Sequence, residues 1–153
     1  MEATGLGIVI CDSCGRVMGS LAERVLLLTS TATVEALACR RALFFAKELC
    51  IFDVVFEGDA ELIIKALLGR EVDHPEYGHV IQDSLVLAAE FRFCKFDHVK
   101  RLGNSVAHFL ARCSNSSNEL QFWIESILDD TWAGFSKKKK FVGTPKFEYI
   151  DLK

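Results

Sequence analysis

Few things that would mark a special class of protein are present in this chain of 153 residues. It has 2 prolines and 10 glycines, too few for a low-complexity linker or a collagen-like repeat. Its longest apolar runs, such as Val25–Leu28, fall far short of the ~20 residues a membrane-spanning helix needs. Met1–Gly5 carries no basic segment leading into an apolar one. The expectation is a chain without a secretory signal, placed in the cytoplasm or nucleus, with no membrane partner. Charge of one sign is also scarce. The net charge is −3, with +4 gathered in residues 136–153 and −7 spread over residues 1–135. An acidic body does not advertise nucleic-acid binding through net charge, so any such role must come from local patches. The six cysteines form no second pair to complete the Cys11-Asp-Ser-Cys14 spacing, and no histidine stands near it. Reduced thiols are expected rather than a zinc site.

What is present is a hydrophobic half and a charged quarter, the balance of one globular domain. Gly5–Cys11 reads as a strand, Asp12–Gly15 as a turn, and Arg16 to Ala22 as its antiparallel return. Arg24–Thr29 reads as a further short strand. Thr31–Cys50 is the best helix, with Thr31 or Thr33 as cap and a stripe of Val34, Leu37, Ala38, Ala42, Phe45 and Leu49. Phe52–Phe56 fits a central parallel strand, broken by Gly58 and Asp59. Ala60–Leu68 is predicted helical with Leu62, Ile63, Ala66 and Leu67 inward. Tyr77–Arg92 is a third helix with His79, Val80, Ser84, Leu87, Ala88 and Phe91 on one side, Phe93–Lys100 a strand, and Ser105–Cys113 a fourth helix. That order predicts an α/β fold, a mixed sheet with helices on both faces. The expected division is a domain over 1–115 and an extension over 116–153 ending in the lysine-rich tail.

Three positions stand out by where these elements put them. Glu35 falls in the first turn of the long helix, Asp59 at the end of the Phe52–Phe56 strand, and His108 one turn inside the last helix. Functional groups gather at such strand ends and helix starts. Carboxylates there can hold Mg²⁺, and two such ions ~4 Å apart can activate a water and stabilise a phosphodiester leaving group. Each position also has a structural explanation. Glu35 could serve the helix dipole, Asp59 could cap the next helix, and His108 could be a partly buried structural histidine.

Five segments in order carry a resemblance: Gly5–Ile10 (GLGIVI), Asp12–Val17 (DSCGRV), Val34–Leu43 (VEALACRRAL), Phe56–Ala60 (FEGDA) and His98–Arg112 (HVKRLGNSVAHFLAR). Together they resemble the plant ribonuclease H-like domain of the reverse-transcriptase-like, retroelement-derived type. The resemblance implies hydrolysis of the RNA strand of an RNA/DNA hybrid by four acidic residues and two Mg²⁺. It places catalytic roles on Glu35, Asp59 and His108, with Glu35 and Asp59 as metal ligands. His108 stands where the family's last acid lies, and the plant type often carries histidine there. Lys100, Arg101 and Asn104 are the implied nucleic-acid contacts, although Asn104 could instead cap the last helix. The family's first Asp belongs to a strand about ten residues upstream of Gly5, so that central strand and its carboxylate are expected to be missing. Phe147–Leu152 alternates weakly in polarity, and the expectation is that it stays outside the sheet. Three functions remain open: a Mg²⁺-dependent nuclease with impaired activity, a nucleic-acid-binding or scaffold domain that has lost cleavage, and a non-functional retroelement remnant. The natural substrate and the oligomeric state stay undetermined at this level.

Overall fold

The computed structural model describes residues 3–12, 16–26 and 30–100, together with the backbone of 121–124 and 146–150. In chain order the elements are β1 (Ala3–Cys11), β2 (Val17–Leu26), α1 (Thr31–Glu48), β3 (Asp53–Gly58), α2 (Glu61–Gly69), α3 (Gly78–Ala88), β4 (Phe93–His98), β5 (Gln121–Ile124) and β6 (Lys146–Ile150). The six strands form one sheet in the order β4-β3-β6-β1-β2-β5.

The hairpin forms because β-branched and apolar residues alternate on both sides of a polar turn. β1 and β2 pair antiparallel from Ala3↔Leu26 to Cys11↔Val17, with a bulge between Ile10 and Cys11. Asp12 ties the turn: its carboxylate accepts from the Arg16 backbone N–H at 2.9 Å and from Arg16 Nε at 2.8 Å. The run from Arg24 is not a separate strand. It continues β2 through Leu26, because no turn residue interrupts Leu21–Val25.

α1 is capped one residue before Thr31 and three before Thr33, the two expected caps. Ser30 is the N-cap, and its Oγ accepts from the Thr33 backbone N–H. Val34, Ala38, Ala42 and Phe45 of the expected stripe are buried, joined by Ala36, Cys39, Leu43 and Ala46. In α2 the inward face is Ile63, Ile64, Ala66 and Leu67, while Leu62 is 55% exposed. Three consecutive branched apolar residues, Leu62–Ile64, leave the helical phase ambiguous in sequence, and packing selects the later pair. His79 is likewise exposed, whereas Val80, Ser84 and Leu87 of the expected face are buried, joined by Ile81.

One core joins these parts. Ile8, Ile10, Leu21, Val54 and Phe56 from the sheet pack with the buried faces of α1, α2 and α3. α1 and α3 lie side by side and parallel, as three cross-links in rising order show: Ser30 with Glu76, Arg40 with Asp83, and Lys47 with Glu90. The opposite sheet face is also shielded, with Val9, Ser20, Ala22 and Glu57 all buried. That double burial is the condition under which parallel strands are found. The last expected helix, Ser105–Cys113, lies outside the described residues.

β3 and β4 are parallel and adjacent, as expected, from Asp53↔Phe93 to Gly58↔His98. The gap expected between the hairpin and this pair is filled. β6 runs there antiparallel to β1 (Gly7↔Ile150 to Cys11↔Lys146) and parallel to β3 (Val55↔Lys146 to Glu57↔Glu148). The tail segment therefore enters the sheet, against the expectation that it stays out. The physical reason is the backbone: without a strand in this slot, β1 and β3 would both leave a row of N–H and C=O groups unpaired in the middle of a sheet.

Candidate functional site at the end of the parallel strands

The short connection Leu49–Phe52 takes the end of α1 directly into the start of β3. α1 therefore runs back along β3, and its N-terminal turns lie toward the sheet end where β3 finishes at Gly58 and Asp59. Glu35 belongs to that end. With Ser30 as cap, Glu35 falls in the second turn, and the first turn holds no acidic residue. A dipole-stabilising role, which decays beyond the first turn, accounts less well for Glu35 than it would at the helix start.

Asp59 directly follows β3. The N-cap of α2 is Ala60, whose side chain makes no capping hydrogen bond. The Asp59 segment is tied to β4. The Val99 N–H donates to Gly58 O at 2.9 Å, which closes the ladder at this end. His98 Nε2 stands 3.3 Å from the Asp59 carbonyl oxygen. Sequence reasoning left His98 balanced between a substrate-side and a strand-face role. The structure makes it a neighbour of the Asp59 backbone.

Two further carboxylates at this end went unremarked in the sequence. Glu61 opens α2 and pairs with Lys65 at 2.9 Å. The hydrogen bond and charge of Lys65, with a smaller contribution from His98, hold its carboxyl below the ordinary range. Glu57, in β3, is buried at 8% exposure. A carboxylate directly after the apolar run Val54–Phe56 and still within the strand is the signal that could have drawn notice to it.

Lys100 is exposed just beyond β4. Lys95 on the same strand is paired with Asp97 at 2.9 Å. His108, Arg101 and Asn104 lie outside the described residues. β6 fills the central slot of the sheet. Glu148 takes register with Val9 and Glu57, whereas Ile8 and Ile10, which pack in the α1 core, face Tyr149 and Phe147 in register. Among the described residues, no three His, Cys, Asp or Glu side chains come together as a group able to hold a metal ion. Glu35 and Asp59 alone are too few donors for a two-ion centre, since each hard cation needs several oxygens. Among the described residues, no helix is long and apolar enough to cross a membrane.

Comparison with solved structures finds the same fold. The RNase H1 of the halophilic archaeon Halobacterium salinarum NRC-1 is 22% identical, with a TM-score of 0.69 over 73% of this chain and 85% of that one. The N-terminal RNase H domain of rv2228c from Mycobacterium tuberculosis is 20% identical, with a TM-score of 0.54 over 72% of this chain and 91% of that one. No curated protein matches the chain. The family described as reverse transcriptase-like matches residues 1–114, three quarters of the sequence, from the hairpin through the segment that carries His108. With this match, and with a mixed sheet that is the RNase H-like fold, the chain belongs to the reverse transcriptase-like family.

Proposed function

We propose that this chain is an RNase H-type nucleic-acid domain that engages RNA/DNA hybrids at the sheet end bearing Asp59, and that its hydrolysis of the RNA strand is impaired. The observation that carries this reading is the placement of Asp59. It follows the parallel strand β3 directly and shares its sheet end with the start of α1 and Glu35. Family membership and fold likeness support the substrate class. In this reading Glu35 and Asp59 are the metal-binding carboxylates and His108 acts beside them. Lys100, Arg101 and Asn104 contact the hybrid backbone, where cationic side chains fix register without reading sequence. Mg²⁺ is the cofactor expected of the type. With His108 standing where the family's last acid lies, transition-state charge would be incompletely neutralised. A nuclear or cytoplasmic setting and a retroelement-derived plant origin complete the proposal.

The test uses the purified chain with a labelled RNA/DNA hybrid, in Mg²⁺ and then Mn²⁺. Fluorescence anisotropy should report hybrid binding that weakens as salt rises, since phosphate contacts release counterions. Gel analysis should show slow or no RNA cleavage, and Asp59→Asn should remove any residual cleavage while leaving binding in place. Failure to bind the hybrid at low salt would overturn the reading. Fast metal-dependent cleavage would overturn the impairment.

A further inference from the structure

β6 stands in an unusual position for a strand so close to the C-terminal end of this sequence. Among the described residues, it is the element that links the half-sheet β5-β2-β1 to the half-sheet β3-β4. Its hold is short. It makes five register pairs with β1 and three with β3, while Ala3–Leu6 of β1 and Asp53–Val54 of β3 extend beyond it. Its tether is long. Ile124 pairs with Gly19, Gly19 with Ile10 and Ile10 with Phe147, so the ends of β5 and β6 lie at one level of the sheet. Three strand spacings separate them, roughly 14 Å. The 21 residues between Ile124 and Lys146 could reach about 70 Å when extended. That length lets residues 146–150 reach their own slot or that of a neighbouring copy.

We propose that the slot between β1 and β3 is a strand-exchange site, which accepts residues 146–150 of a second copy of this chain in the register its own segment uses. An emptied slot exposes unpaired backbone on two strands at once, the costliest kind of edge. The occupant must run antiparallel to β1 and parallel to β3. The one segment certain to fit in that direction and register is the same segment of another copy. Contacts are identical in the closed monomer and the exchanged dimer, so protein concentration set against the tether's effective concentration decides between them.

The register supplies its own probe, because Cys11 lies opposite Lys146. Full-length Lys146→Cys protein is prepared with natural and with ¹⁵N label. The two are mixed at low and high concentration, equilibrated and oxidised. Mass spectrometry then reads the peptides joined between positions 11 and 146. The expected result is mixed-label crosslinks that rise with concentration toward about half of the total, the value for random pairing of two labels. The same crosslinks should disappear in Lys146→Cys combined with Cys11→Ser. Same-label crosslinks alone at every concentration would overturn the proposal, and so would the absence of any crosslink between these positions.

Discussion

Phe56 sits at the middle of β3 with no exposed surface, and its ring is held from two sides. It stacks on Phe96 with centroids 5.5 Å apart and meets Phe91 edge-on at 6.3 Å. Replacing it with alanine removes the buried ring and leaves a cavity between β3, β4 and the end of α3. Such truncations cost about 3–5 kcal/mol. A domain of this size has roughly 5–15 kcal/mol in total. With a urea dependence of about 2 kcal/mol per molar, the unfolding midpoint should fall by ~2 M. Phe56→Leu keeps most of the apolar volume and gives up the two ring contacts, each worth ~0.5–1.5 kcal/mol, so its loss should be near 1–2 kcal/mol. Urea unfolding followed by circular dichroism measures both variants. A Phe56→Ala shift below about 0.5 kcal/mol, the range of an ordinary surface change, would refute the placement of β3 at the centre of the core. The loss should also reach the candidate site, since β3 is the strand that delivers Asp59.

A Cβ at Gly78 would stand 2.2 Å from the Val72 carbonyl oxygen, a contact with backbone that cannot rotate away. Gly78→Ala should therefore destabilise by about 1–3 kcal/mol, and thermal melting should show it. Cys94 lies partly buried, and burial pushes its thiol up to about 12, whereas Cys50 is exposed. Timed alkylation with iodoacetamide at pH 8, read by peptide mass, should modify Cys50 well before Cys94. Asp53 hydrogen-bonds Arg92, which holds its carboxyl below the ordinary carboxylate range. The pair contributes stability above the unfolded carboxylate pKa of about 3.9, and that contribution is lost as pH falls through the lower folded value. Arg92→Ala should thus be less stable than the parent at pH 7 and should converge with it in acid. Denaturant midpoints across pH will measure this, and a gap that widens in acid would contradict it.

Local pattern was enough for the parts of the fold held together by neighbours in sequence. The Asp12–Arg16 turn, the α1 stripe and the pairing of β3 with β4 each arise from residues whose periodicity or turn chemistry acts over a short span. What escaped was set by distant partners. Thr31 and Thr33 are as good N-caps as Ser30 by chemistry, and the choice went to the residue that also reaches Glu76. Leu62 lost the buried face of α2 to Ile64 because the core, not the helix, fixes the phase. β6 was the largest surprise, since Lys146–Ile150 is short and follows a run of lysines. Its selection rests on two strands that lie over a hundred residues earlier or nearly so. At the site, Asp59 was legible from a Gly-Asp break after an apolar run. Glu57 was not, because a single carboxylate in a strand reads as the solvent side of an alternation. Its burial follows from the second covered face of the sheet.

The place of β6 also has a consequence for how the protein is made. Lys146–Ile150 leave the ribosome at least 135 residues after their partners Gly7–Cys11. Until those partners emerge, the nascent chain has two half-sheets and no strand to join them. Pairings this remote in sequence carry a large loop-closure cost and slow the final step of folding. During synthesis at ~5–20 residues per second, the edges of β1 and β3 stay open for several seconds, when they can pair with other chains. A chain that stops before Lys146 would hold the three described helices and yet no strand to join its two half-sheets. Quality control would then read the arrival of β6 through the folding of strands made long before it.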